Sequence, residues 1–284
     1  MLTPEPKVAV CVFHQNIKKY PQRWINTFTE SIKNQTNKQF TIYELNYGDG
    51  QDRLFDNSVF FSEKQDNHVQ AQNLIFDLAY DDGCDLICNT NVDDFYHLDR
   101  INKQIQYSKA GFDLISSDFQ HIREHSENDI LAGKFLMSNL NILDEQSRGH
   151  NIIAHPVVAL TSGFWERNRP YLEDDYHNGR REDFNLWIRA AQKGEKMLII
   201  PEILLYYRIH ANQVGKETNK IPVKIDSIKL TQEKIDILPE IEKIFENFSS
   251  IIKFSSNSIS EKIRPNLDAI EESLQKIIKI YKNK

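Results

Sequence analysis

Between Val8 and Cys88 the chain alternates apolar runs of strand length with stretches of helical periodicity, and this alternation limits the fold more than any other feature. Val8-Ala9-Val10-Cys11-Val12-Phe13 suits a strand buried on both faces. Pro21 follows where a helix can open, because the N–H it lacks is one that the first turn leaves unpaired. Trp24, Phe28 and Ile32 give that helix an apolar face. Phe40 to Leu45 reads as a second strand and Val59-Phe60-Phe61 as a short third. Ala71, Ile75, Leu78 and Ala79 mark a second helix that ends near Gly83. Strand, helix, strand, helix, strand is the pattern of a parallel sheet with helices on both faces. The expected class is therefore α/β, with a Rossmann-like, mostly parallel sheet.

A further strand over Cys84 to Cys88 runs into Asn89-Thr90-Asn91-Val92-Asp93-Asp94, after which Leu98, Ile101 and Ile105 fall at helical spacing. No G-x-G-x-x-G follows the first strand, and no Walker P-loop is present. A diphosphate bound to this half would then need a cation in place of a glycine-rich cradle. Ligands of open α/β sheets collect outside the carboxyl ends of the strands. Oxygen ligands from one short loop suit Mg²⁺ or Mn²⁺ shared with a diphosphate. The same paired acids also fit a helix N-cap with charge that compensates the dipole.

Phe112 to Ser116 reads as another strand. Gln120 to His150 is polar and poorly periodic, most simply a solvated surface, with His121 and His125 not counted as ligands. Asn151 to Leu160 returns to the core. Phe184, Trp187, Ile188 and Ala191 then form a clean helical stripe behind Glu182 and Asp183. Capping explains one acid at that helix start better than two. Trp187 fits core packing better than stacking on a sugar. Gly194 closes the helix, and Lys196–Ile200 and Ile203–His210 read as the last two strands. Past Val214, one amphipathic stripe runs through Ile241, Ile244, Phe245, Phe248 and Ile252. A second runs through Leu267, Ile270, Leu274, Ile277 and Tyr281. These helices either pack back on the core or join two copies as a homodimer.

A formal net charge of −6 argues against nucleic acid as the main partner, since such binders carry a basic stripe. Three cysteines without close Cys or His partners read as buried thiols of a reducing compartment. No run reaches the ~18 apolar residues of a transmembrane span, and no signal peptide is evident, so a cytoplasmic location is expected.

Four stretches in this order resemble inverting glycosyltransferases of family 2, which have the GT-A fold. Gln35 to Gly48 is similar to the family's second strand and turn, and Asn91-Val92-Asp93-Asp94 to its D-x-D-D motif. Arg181-Glu182-Asp183 with Leu186-Trp187-Ile188-Arg189 is similar to the E-D-x-x-L-W-x-R helix, and Tyr207-Arg208-Ile209-His210 to Y-R-x-H. His155-Pro156-Val157-Val158 also resembles a family segment. The resemblance covers about Val8 to Gly215. It implies a nucleotide-sugar-binding half over 1–110, an acceptor half over 111–215, and a helical extension over 216–284.

The implied activity is metal-dependent transfer of a hexosyl or N-acetylhexosaminyl group from a nucleotide-diphosphate sugar, with a UDP-sugar as the expected donor. The acceptor would be a hydroxyl of a glycan, lipid-linked or protein acceptor, bound between residues 120 and 180. Asp183 is the implied base. Asp93, Asp94 and His210 are the implied ligands of Mn²⁺ or Mg²⁺. Phe13, His14, Gln15, Asn46, Asn73, Asn91 and Asp93 make up the implied donor site. Three departures touch the nucleotide pocket. Asn91 replaces the motif's first Asp, Asn46-Tyr47-Gly48-Asp49 replaces Asp-Asp-Gly-Ser, and Phe13-His14-Gln15-Asn16 replaces Pro-Thr-Tyr-Asn. A silent nucleotide-sugar-binding scaffold acting through the tail is the alternative. A nucleotidyltransferase lacks its expected glycine- and Arg/Lys-rich loop here.

Overall fold

The computed structural model describes residues 5–125, 128–174 and 181–210. The tail helices, and the extension over 216–284, lie outside the described residues.

Strand β1 (Val8–His14) pairs in parallel with β2 (Thr41–Asn46) on one side and β4 (Leu86–Asn89) on the other. Neighbours on both edges and helices on both faces explain its nearly unbroken apolar run. Helix α1 (Gln22–Lys33) turns Trp24, Phe28 and Ile32 inward, with Pro21 at its N-cap. Helix α2 (His68–Asp81) is capped by Asn67, whose side chain accepts from the Val69 and Gln70 N–H groups. Its inner face is Val69, Gln72, Ile75, Phe76 and Ala79; Leu78 stays half-exposed. Gly83 follows at φ +73°, a left-handed turn that glycine enters without strain. Strand β3 (Val59–Ser62) flanks β2.

Beyond β4 lie β5 (Phe95–Tyr96) and α3 (Arg100–Lys109). Leu98, expected on the helix face, precedes the helix and is 47% exposed. Buried Arg100 and Gln104 join Ile101 and Ile105 there instead. Arg100 donates to the Asn89 carbonyl at 2.5 Å, and Gln104 to the Val157 carbonyl at 2.6 Å. The region expected as a solvated surface is mostly exposed or half-buried between residues 130 and 145, and it carries the end of β6 (Leu114–His125), β7 (Asn128–Phe135) and α4 (Ile142–Ser147). Pairing to β9 and β7 satisfies the backbone of β6, and a register break between Gln120 and Ile122 hides its alternation.

Then come β8 (Ala159–Thr161), α5 (Ser162–Asn168), α6 (Glu182–Gln192) and β9 (Met197–Ile209). The two expected final strands are one. Exposed Pro201 and Glu202 bulge between Ile200 and Ile203, where the register to β6 shifts. Among the described residues the sheet runs β3-β2-β1-β4-β8-β6-β9-β5, with β7 off this path and paired to β6. Strands β1, β2, β3, β4, β6 and β9 point one way, and β5, β7 and β8 oppose them. The carboxyl ends of β4 and β9 therefore open on the same edge. Trp187 is fully buried in the core, and Cys11, Cys84 and Cys88 are buried free thiols. Among the described residues no helix is long and apolar enough to cross a membrane.

Candidate active site

The loop after β4 is held from three directions. Thr90 donates to the Cys11 carbonyl at 2.7 Å, the Asn91 N–H reaches the Tyr96 hydroxyl at 2.8 Å, and the Asp94 N–H returns to the Asn91 carbonyl. β5 then pairs antiparallel with β9, Phe95 opposite Tyr206, and lays the loop along the end of that strand. Asp93 Oδ2 consequently lies 2.8 Å from His210 Nε2, although 117 residues separate them in the chain. Arg208 donates through Nε to the Asp93 carbonyl at 2.9 Å. Its guanidinium lies 4.5 Å from the Trp24 ring centre, and the His210 ring packs 5.1 Å from the same indole.

Asp94 faces inward. Its Oδ1 accepts from the Arg208 N–H at 2.8 Å, and its buried Oδ2 has no hydrogen-bond partner among the described residues. Burial, then the Asp93 charge, pushes the Asp94 carboxyl well above the usual carboxylate range. Of the three expected metal ligands, then, Asp93 and His210 meet side by side and Asp94 supports the strand end. Neither acid caps α3, which begins after Asp99.

The expected donor-binding residues divide in two. Phe13, Gln15 and Asn91 keep solvent-accessible surface at the carboxyl edge. His14, Asn46 and Asn73 are engaged with protein. His14 Nε2 lies 3.1 Å from Glu44, a fully buried carboxylate that also accepts from Leu54, Phe55 and Ser58. Burial pushes Glu44 up, but the bonds from His14, Leu54, Ser58 and Phe55 outweigh it and leave its pKa lowered. Asn46 accepts from the Gly48 N–H and donates to the Asp52 carbonyl. Asn73 bonds both the N–H and the carbonyl of Tyr171 at 2.9 Å. A Cβ on Gly48 would meet the Gln15 carbonyl at 2.3 Å, so only glycine lets the turns after β1 and β2 come this close.

Helix α6 leads into β9, so its N-terminus lies toward the edge that carries Asp93. Glu182 bonds His68 at 3.2 Å. Asp183 accepts from its neighbouring Phe184 N–H at 2.7 Å and from Asn151 Nδ2 at 3.0 Å. The two acids part in ionisation. Burial raises Glu182, yet the His68 hydrogen bond and charge bring it below the usual range. Burial raises Asp183 and prevails, aided by the Glu182 charge and opposed by His155, Phe184 and Asn151. The helix start alone predicts a stabilised anion at Asp183, and desolvation reverses that direction.

No protein-family model matches the chain. No curated protein matches it either. Among solved structures, mannosyltransferase PcManGT from Pyrobaculum calidifontis, in complex with GDP-Man and Mn²⁺, is similar at a TM-score of 0.52. The identity is 13%, covering 95% of this chain and 70% of that one. S. aureus TarS is similar at a TM-score of 0.51 and 11% identity over 96% of this chain, which spans 54% of TarS, about half its length. The chain has a GT-A-type fold.

Within that fold, the donor set at the end of β4 and β9 is tested by its own atoms. A carboxylate oxygen, a ligand type that suits Mn²⁺ or Mg²⁺, and an imidazole nitrogen, a ligand type of first-row transition metals, already sit together, only 18% and 10% exposed. Among the described residues no three His, Cys, Asp or Glu side chains converge as ligands. A cation here would keep waters or substrate oxygens on its remaining positions, and on that condition Asp93 and His210 fit one.

Several residues without a site role assigned from the sequence pack together, among them His121, set aside as a ligand, and Tyr207 of the Y-R-x-H stretch. Phe119, His121, Phe135 and Tyr207 form a ring cluster on β6, β7 and β9, with Phe119 stacked on Phe135 at 5.0 Å and His121 4.1 Å from Phe135. Burial first, then the charges of Asp94, Asp93 and Asp183, push the Tyr207 hydroxyl up. Phe119 and His121 stand two residues apart, the one period-2 signal available in that stretch. Asn151 and His68 had none, because loop and helix bring them to the acids from distant sequence.

Proposed function

We propose that this chain is a metal-dependent inverting glycosyltransferase that uses a nucleotide-diphosphate sugar, with a UDP-sugar the first donor to test. The observation that carries the reading is the meeting of Asp93 with His210 at the carboxyl edge of the sheet. The shared fold with a mannosyltransferase supports it. Asp93 and His210 would hold Mn²⁺ or Mg²⁺, which when bound supplies positive charge for the leaving diphosphate. Phe13, Gln15 and Asn91 would face the nucleotide.

Asp183 is the proposed base. Its raised pKa brings it closer to working pH, where a base transfers protons most effectively. The acceptor oxygen attacks the anomeric carbon and loses its proton to an Asp183 oxygen. The bond from that carbon to the phosphate oxygen breaks, and its electron pair leaves with the nucleotide diphosphate. Glu182, held as an anion by His68, is already engaged and is not assigned this step. The half-buried rings of Phe119, His121, Phe135 and Tyr207 would floor the acceptor side, since aromatic faces with polar tips match a sugar ring.

The test is thermal stability against UDP-sugars and GDP-mannose, with and without Mn²⁺, for the wild type and Asp93→Ala. A donor at a hundred times its Kd adds about 2.7 kcal/mol. The expected result is a shift that needs metal and vanishes in Asp93→Ala. A shift indifferent to both metal and Asp93 would overturn the metal-dependent reading.

A further inference from the structure

We propose that Asn151 is a positioning residue that aims the Asp183 carboxylate, an inference that rests on the transferase reading above. Asn151 stands 32 residues before Asp183, in the segment that leads to the turn over His155–Val157. Its Nδ2 donates to Asp183 Oδ2 at 3.0 Å, while its Oδ1 accepts from the Ile153 N–H at 3.3 Å. The second bond fixes which end of the amide faces the acid. Buried Ile152, Ile153, Pro156 and Val157 anchor the segment, so the donor is presented from a packed element.

The other oxygen, Oδ1, accepts from the Phe184 N–H, a bond made within the same helix start. Among the described residues Asn151 is therefore the long-range hydrogen-bond donor that restrains where Oδ2 points. Without it, among the described residues, the carboxylate keeps one local bond.

The charged and titratable groups around Asp183 come from several elements. Glu182 precedes it on α6 and raises its pKa, while His155 lowers it. Burial lowers the pKa of His155 itself, opposed by the Asp183 and Glu182 charges. Tyr171, after α5, and Tyr207, on β9, both feel the Asp183 charge. His68, on α2, acts through Glu182. Against this background Asn151 and the Phe184 N–H favour the anion. One amide thus orients the carboxylate and, with the Phe184 N–H, opposes the rise in its pKa.

The decisive measurement is a ¹³C NMR titration of the Asp183 carboxyl in the wild type and Asn151→Ala, which requires no substrate. The Asp183 signal is expected to titrate at higher pH in Asn151→Ala. Asn151→Ser, too short to reach Oδ2, is expected to do the same and serves if the alanine variant folds poorly. Donor hydrolysis with Mn²⁺ and the UDP-sugar panel supplies the kinetic arm. There kcat is expected to fall about tenfold with donor KM unchanged, and the acid limb to move to higher pH. If the titration and acid limb superimpose on the wild type, Asn151 is structural only and the proposal is overturned. Asp183→Asn separates the two readings: retained turnover there would sink Asp183 as base, while the NMR titration would still decide whether Asn151 governs it.

Discussion

Asp183 shows how burial can decide what a motif residue does. Its place at the start of α6 favours the anion, but desolvation and the neighbouring Glu182 charge raise its pKa. A base must be ionised to act, so kcat/KM is expected to fall as pH drops through this raised value, beginning above the range of an exposed aspartate. Asp183→Asn should lower kcat by about 10²–10⁴-fold. The stability consequence has the opposite sign. A carboxyl whose folded pKa lies above its unfolded value contributes stability at low pH, and that contribution is lost as pH rises through the folded value. Asp183→Asn should therefore melt higher than the wild type at pH 7 and converge with it in acid, as thermal denaturation at several pH values would show. Asp93, His210 and Asp183 could be singled out as candidates because each stands in a short pattern of residue types, and the fold sets Asp93 beside His210. Asn46 and Asn73 came from the same reasoning, yet their amides bond nearby backbone, and no residue pattern records which atoms an amide meets after folding.

Long elements were legible and short or paired ones were not. The periodicity of α1, α2 and α6 spans three turns or so, enough for an apolar face to declare itself. β8 has three residues and β5 two, below the length at which alternation can be recognised. The connection between β2 and β3 has its own hidden device. Leu54, Phe55 and Ser58 all donate to Glu44, and Arg53 fastens the same loop through the Phe55 and Ser58 carbonyls. Glu44→Gln would leave a buried set of donors facing a neutral amide, with an expected loss of about 2–4 kcal/mol by chemical denaturation at pH 7. The folded pKa of Glu44 is lowered, so its contribution is present above the unfolded pKa and fades as pH falls through the folded one. The gap between wild type and Glu44→Gln should accordingly narrow in acid. Gly48→Ala strains the same corner by pressing a methyl group into the Gln15 carbonyl, and should weaken donor binding because Gln15 borders that side.

At the scale of the molecule, the sheet brings two distant parts of the chain together at Asp93 and His210. The first four strands gave away a parallel α/β half, but sheet order beyond β4 depends on β8 and β5 running against their neighbours, which local patterns do not encode. That order is what brings the loop after β4 to the end of β9. The β5–β9 contact that closes the arrangement is small, with Phe95 stacked on Tyr206 at 4.6 Å and 11° between rings. Removing the stack should let the two strand ends part without disturbing the core. Trp24 gives a local report, since its indole packs on His210 while Trp165 and Trp187 lie fully buried in the separate core cluster. Mn²⁺ bound by Asp93 and His210 should quench the Trp24 fraction of the emission, an effect abolished in Trp24→Phe and in Asp93→Ala. Phe95→Ala should shift that titration to higher Mn²⁺ concentration, by roughly tenfold if the stack is worth about 1.4 kcal/mol to the closed site. An unchanged Mn²⁺ midpoint in Phe95→Ala would mean that Arg208, bonded to the Asp93 carbonyl and to Asp94, and the β5–β9 backbone pairing hold the two strand ends together without the stack.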